Sequence, residues 1–162
     1  CIRDRYEKNI CSMFDLIENE LDVKIIISAS GKYKYPDENI FGNREVVYYK
    51  TNQLIQHSEF VIGHFSQGIS QAIVSLKPLM LIQDDSFSLD IKNAIEGVAK
   101  IFKIETINTK DITPDLIKQQ FVIDRRQYQS LKHEYYSEKG VETDSKEWIS
   151  NALNSYMAYP NI

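Results

Sequence analysis

The stretch from Glu59 to Ile82 constrains the fold more than any other part of the chain, because it spells a strand, a turn, a helix and a second strand in succession. Phe60 to Gly63 is a short apolar run and Ser66 stands at a helix start. Ile69, Ala72, Ile73 and Leu76 then recur at the spacing of one buried helix face. Pro78 stops that helix just before the apolar run Leu79 to Ile82. Strands joined by a crossover helix run parallel, since an antiparallel neighbour needs only a tight hairpin.

The same rhythm extends to both sides. Tyr6, Ile10, Met13, Phe14, Ile17 and Leu21 form the apolar stripe of an opening helix, and the β-branched run Val23 to Ile27 predicts a central strand covered on both faces. Lys32 to Asn43 reads as a long loop. Glu45 to Tyr49 reads as a strand and Thr51 to His57 as a short helix capped by Thr51. Phe87 to Lys100 follows as a helix and Ile101 to Ile107 as one further strand. Beyond Pro114 the pattern is helical to the end, with Tyr128, Leu131 and Tyr135 on one stripe. Trp148, Ile149, Ala152, Leu153 and Tyr156 make another, behind a capping-box spacing from Asp144 to Glu147. These elements predict an α/β fold: a Rossmann-like, doubly wound parallel sheet flanked by helices, with helices closing the C-terminal end.

With 162 residues the chain matches one domain, and its 43% hydrophobic content supplies a core. No apolar run approaches the ~20 residues of a membrane-spanning helix. A net charge of −4 without a basic stripe argues against nucleic acid as a partner. Cys1 and Cys11 have neither metal-ligand spacing nor a disulfide framework, so no metal is expected and a reducing, cytoplasmic compartment fits. The start at Cys1-Ile2-Arg3-Asp4, with no initiator Met, reads as a segment of a longer protein with an upstream domain.

Ligands of open α/β sheets sit at the carboxyl ends of the strands, where helix N-terminal amides attract phosphate. Ser66, Gln67 and Gly68 occupy such a place: the serine hydroxyl can donate to a phosphate oxygen, and the glycine lets a phosphate approach the backbone. The plain alternative is an ordinary N-cap and a packing glycine. His64, in the same turn, is placed to bond a phosphate or sugar hydroxyl, or else a local carbonyl. Lys32, after the first strand with Ser30 and Gly31, is placed to neutralise phosphate or simply to be solvated. Asp84 and Asp85, after the next strand, are placed to hold sugar hydroxyls or to start a turn. No nucleophile elbow, Walker loop, dinucleotide fingerprint or zinc-protease motif occurs.

With Phe60 to Ile62, Ser66, Gln67 to Leu76 and Lys77-Pro78, the segment from Val23 to Asp85 resembles the C-terminal, donor-binding domain of GT-B-type glycosyltransferases of bacterial capsule and lipopolysaccharide synthesis, including sialyltransferase-like members. The pattern is shared with nucleotide-sugar epimerases and glycerophosphotransferases. The resemblance implies a nucleotide-sugar donor as substrate, no further cofactor, and phosphates over the helix that begins at Ser66. It also implies acceptor contacts from a missing N-terminal domain and a site at the inner face of the membrane. An isolated donor half is expected to turn over little. Ser30-Gly31 stands where sialyltransferase-like members carry His-Pro, which keeps open a non-catalytic interaction module; a nucleotide-sugar 2-epimerase relative is the other alternative.

Overall fold

The computed structural model describes residues 2–31, 34–35, 38–138 and 141–142. The chain runs through α1 (Ile2–Leu21), β1 (Ile27–Ala29), a 3-10 turn (Glu38–Phe41), β2 (Val46–Tyr48), α2 (Thr51–His57), β3 (Val61–Gly63) and α3 (Gln67–Val74). It continues through β4 (Leu79–Gln83), α4 (Leu89–Phe102), β5 (Thr106–Asn108), α5 (Pro114–Gln120) and α6 (Arg125–Tyr136), then β6 (Ser137–Glu138) and β7 (Val141–Glu142). The fold is α/β with parallel strands, in two small sheets. β1 pairs with β2, and β3, β4 and β5 form a three-stranded sheet in that order. β6 and β7 pair antiparallel. Among the described residues no helix is long and apolar enough to cross a membrane.

β4 is the strand the molecule is built around. Its first four residues are all buried, and alternate side chains leave opposite faces of the sheet. Met80 and Ile82 join Ile10, Met13, Phe14 and Ile17 of α1 and Ile117 of α5. Leu79 and Leu81 join Ile69 and Ile73 of α3, Ala99 and Phe102 of α4, and Tyr128 and Leu131 of α6. Helices thus cover both faces, as a doubly wound arrangement requires. This corrects the expectation that Val23 to Ile27 is the doubly covered central strand. The first ladder begins only at Ile27, and β1 pairs with β2 alone among the described residues. Apolar character marked that run as buried, but it carries no signal for ladder position; Ile25 is buried just ahead of the strand.

Arg44 fastens α1 to the segment entering β2. Its side chain is only 7% exposed and reaches Glu18 at 2.6 Å and Asp15 at 2.5 Å. It also donates to the Phe41 carbonyl at 3.1 Å and lies over the Phe14 ring. Glu18 in turn accepts from the Ile25 backbone N–H at 2.8 Å, holding the chain as it approaches β1.

Several boundaries differ from the sequence reading. α4 continues through Phe102 and ends on Lys103 in the left-handed conformation, so β5 starts at Thr106 rather than Ile101. Lys50, not Thr51, holds the α2 cap position. After α6 the chain forms the β6–β7 pair instead of continuing as helix; the stripe from Trp148 to Tyr156 and the Asp144 cap lie outside the described residues.

Leu81→Ala, in the fully buried β4, should destabilise the fold by about 3 kcal/mol in urea unfolding. Leu89→Ala, on a side chain that is 72% exposed, should stay within about 0.5 kcal/mol of the parent.

Candidate functional site

The residues singled out from the sequence follow the carboxyl ends of parallel strands: Ser30 and Gly31 follow β1, His64 and Ser66 follow β3, and Asp84 and Asp85 follow β4. They divide into groups the fold has consumed and groups it leaves at the surface.

Asp84 is consumed. It is 0% exposed, and its carboxylate accepts from the Ser86 backbone N–H at 2.9 Å, from the Asn9 side-chain amide at 3.0 Å, and from the hydroxyls of Ser86 and Thr109. Burial alone pulls its pKa upward, but these hydrogen bonds outweigh burial and hold it down at about 2. A sugar hydroxyl has no open surface of Asp84 to reach, which corrects its assignment as a sugar ligand. Asp-Asp after a strand looks alike in sequence whether the carboxylate turns inward or outward. Asn9 and Thr109, its distant partners, carry no local pattern that announces them.

His64 is likewise engaged. Its Nδ1 lies 3.1 Å from the Ile82 carbonyl, which can only accept, so Nδ1 carries the proton and Nε2 accepts from the Tyr6 hydroxyl at 2.7 Å. Phe87 packs edge-on against the imidazole and also touches the Tyr6 ring. Burial lowers the His64 pKa, against smaller opposing effects from the Ile82 carbonyl and the Asp84 charge, and pushes the Tyr6 phenol upward. Neither ring nitrogen is left for a phosphate, so the local-carbonyl alternative is the one realised. Tyr6 entered the sequence reading only as part of the α1 stripe. Its hydroxyl, which needs a partner when buried, was the one available hint of a polar role.

Asp85 is exposed and bound to Lys110 at 2.5 Å and to the Asn108 amide at 2.7 Å. Those hydrogen bonds and the Lys110 charge lower its pKa. A ligand hydroxyl at Asp85 would share the carboxylate with Lys110 and Asn108.

Ser66, Gln67 and Gly68 remain at the surface. Ser66 holds the cap position of α3 in extended conformation, yet its side chain makes no capping hydrogen bond, and both Ser66 and Gln67 are exposed. A Cβ on Gly68 would meet Ser66 Oγ at 3.4 Å, Thr51 Cγ2 at 3.5 Å and Ile55 Cδ1 at 3.6 Å, ordinary contact distances, so packing against α2 does not demand a glycine there. The Gly68 backbone N–H belongs to the first turn of α3. Thr51 shares a 2.7 Å hydrogen bond with the Ser28 hydroxyl, so β1, the start of α2 and the start of α3 converge.

Ser30 is exposed, whereas Gly31 lies under Tyr49: a Cβ on Gly31 would fall 1.7 Å from Tyr49 Cε1, and the Tyr49 hydroxyl donates to the Gly31 carbonyl at 2.8 Å. Any larger residue at Gly31 would have to push the exposed Tyr49 ring aside. Tyr49 itself has φ 62°, a left-handed conformation that costs a non-glycine residue about 1 kcal/mol. Lys32 lies outside the described residues. Among the described residues no three His, Cys, Asp or Glu side chains group as metal ligands. No family model, curated protein or solved structure matches the chain.

The Asp84 environment sets an acid limit. A carboxylate with a depressed native pKa contributes stability that is complete above its unfolded value near 4 and is lost as pH falls through about 2. Asp84→Asn should cost about 2 kcal/mol at pH 7, since it sets an amide donor among donors. The stability gap between parent and variant, followed by urea unfolding, should narrow as pH falls from 4 to 2.

Proposed function

We propose that this chain binds the phosphates of a nucleotide-activated sugar at the start of α3, as the donor half of a cytoplasmic glycosyltransferase of bacterial surface-polysaccharide synthesis. The observation that carries the reading is Ser66: a serine in the cap position whose hydroxyl caps nothing, exposed beside the first-turn amides of a helix that follows a parallel strand. An oxyanion at that point gains the helix amides and the serine hydroxyl together. Resemblance of the Phe60 to Pro78 segment to GT-B donor domains supplies the substrate class. In the mechanism so implied, the α3 amides stabilise charge gathering on the departing phosphate, and a second domain contributes the acceptor and its base.

The engagement of His64 and Asp84 bears on the alternatives. A 2-epimerase needs acid and base groups facing the substrate, and the interior bonds of Asp84 leave that carboxylate unsuited to the task. The same engagement favours, as a second reading, an interaction module that retained the fold without chemistry.

Thermal shift and calorimetry against CMP, CDP, UDP, GDP and their sugar conjugates separate these readings. On the donor-domain reading one nucleotide stabilises the fold selectively, by about 2.7 kcal/mol at a hundredfold excess over Kd. Ser66→Ala should then weaken that nucleotide about fivefold, the worth of one hydroxyl hydrogen bond. Because the Ser66 hydroxyl caps nothing, the same variant should keep its stability within about 0.5 kcal/mol. Indifference to every nucleotide supports the interaction module.

A further inference from the structure

Among the described residues Tyr49 is the most exposed large apolar side chain, at 82%, yet it is held in place. An exposed tyrosine ordinarily samples several rotamers. Here the phenol is tied to the Gly31 carbonyl, the ring edge from Cδ1 to Cζ rests against Gly31, and the backbone stays in the left-handed region. The ring joins neither apolar core, so burial does not explain why it is fixed. Backbone strain combined with a fixed, solvent-facing aromatic group is a combination found at ligand sites, where rigidity is prepared before binding.

The surroundings favour a flat heterocyclic partner. Tyr49 borders a shallow depression of about 340 Å³ whose other walls are Lys50, Thr51, Asn52 and Gln53. Asn52 and Gln53 are exposed and carry both donors and acceptors suited to a base edge. Thr51 links this depression to the start of α3, since it lies against Gly68. Thr51 thus stands between the Tyr49 depression and the helix start at which the nucleotide reading puts the phosphates. We infer that Tyr49 is the stacking platform for the nucleobase of the ligand, a role that rests on the nucleotide reading given above.

Calorimetry on the whole chain with UDP, CDP and GDP, and separately with inorganic pyrophosphate, tests this. Tyr49→Ala should weaken the preferred nucleoside diphosphate about tenfold, as loss of one base–aromatic stack does, and leave pyrophosphate affinity and the unfolding midpoint unchanged. Tyr49→Phe keeps the ring and should recover most of the affinity. Equal nucleotide affinity in parent and Tyr49→Ala overturns the platform and leaves the phosphate site standing. Parallel loss of pyrophosphate and nucleotide binding also overturns it, because Tyr49 would then act through the phosphate site or the local fold. A parent chain that binds none of the nucleotides overturns the platform and the nucleotide reading together.

Discussion

Among the described residues no cation pairs with the buried Asp84 carboxylate, so hydrogen bonds must satisfy it, and this requirement organises the strand edge. The donors come from α1 through Asn9, from the turn after β4 through Ser86, and from the residue after β5 through Thr109. Leaving a buried ion short of partners is far more costly than leaving a neutral group so, and the three segments are therefore bound to one relative placement. Tyr6 repeats the connection one turn earlier on α1, reaching His64 after β3. The two α1 contacts draw the beginning of that helix over the ends of β3 and β4. At the other end of the helix, Arg44 does the same for the chain that leads into β2.

This organisation explains why residues chosen for chemistry were found holding the structure. In sequence, His64, Asp84 and Ser66 share the same credentials, polar groups just beyond an apolar strand. What separates them is whether a side chain elsewhere turns toward them. Asn9 lies 75 residues from Asp84, and Tyr6 lies 58 from His64. Contacts at such separations leave no periodic trace in a single sequence. Among the described residues Ser66 has no equivalent partner, and it alone of the three keeps an exposed hydroxyl at the helix start.

Where local physics decides, the sequence was legible. The spacing of Ile69, Ala72 and Ile73 and the stop at Pro78 led directly to α3 and β4, and the α1 stripe identified Ile10, Met13, Phe14 and Ile17 as core. Where competition between neighbours decides, it was not. Thr51 has the chemistry of a cap, but its hydroxyl is drawn to Ser28, and the cap position falls one residue earlier, on Lys50, so that Thr51 is already in the helix. Ile101 and Phe102 suit a strand as well as a helix, and burial of Phe102 beside Ala99 keeps them helical until Lys103 turns left-handed.

The order of the strands also bears on how the chain reaches this state. Among the described residues every parallel ladder joins strands that follow one another in sequence: β1 with β2, β3 with β4, and β4 with β5. Each pairing closes a loop of roughly twenty residues, and the entropy of closing loops this short is modest. Most of each loop between β3 and β5 is taken up by a helix that packs on the same strands. Such a topology favours nucleation around β3, α3 and β4, with α1 docking onto a sheet already formed. Comparing the effects of substitutions at Ile73 and Met13 on folding and unfolding rates would expose that sequence of events: early contacts slow folding when weakened, and late ones hasten unfolding.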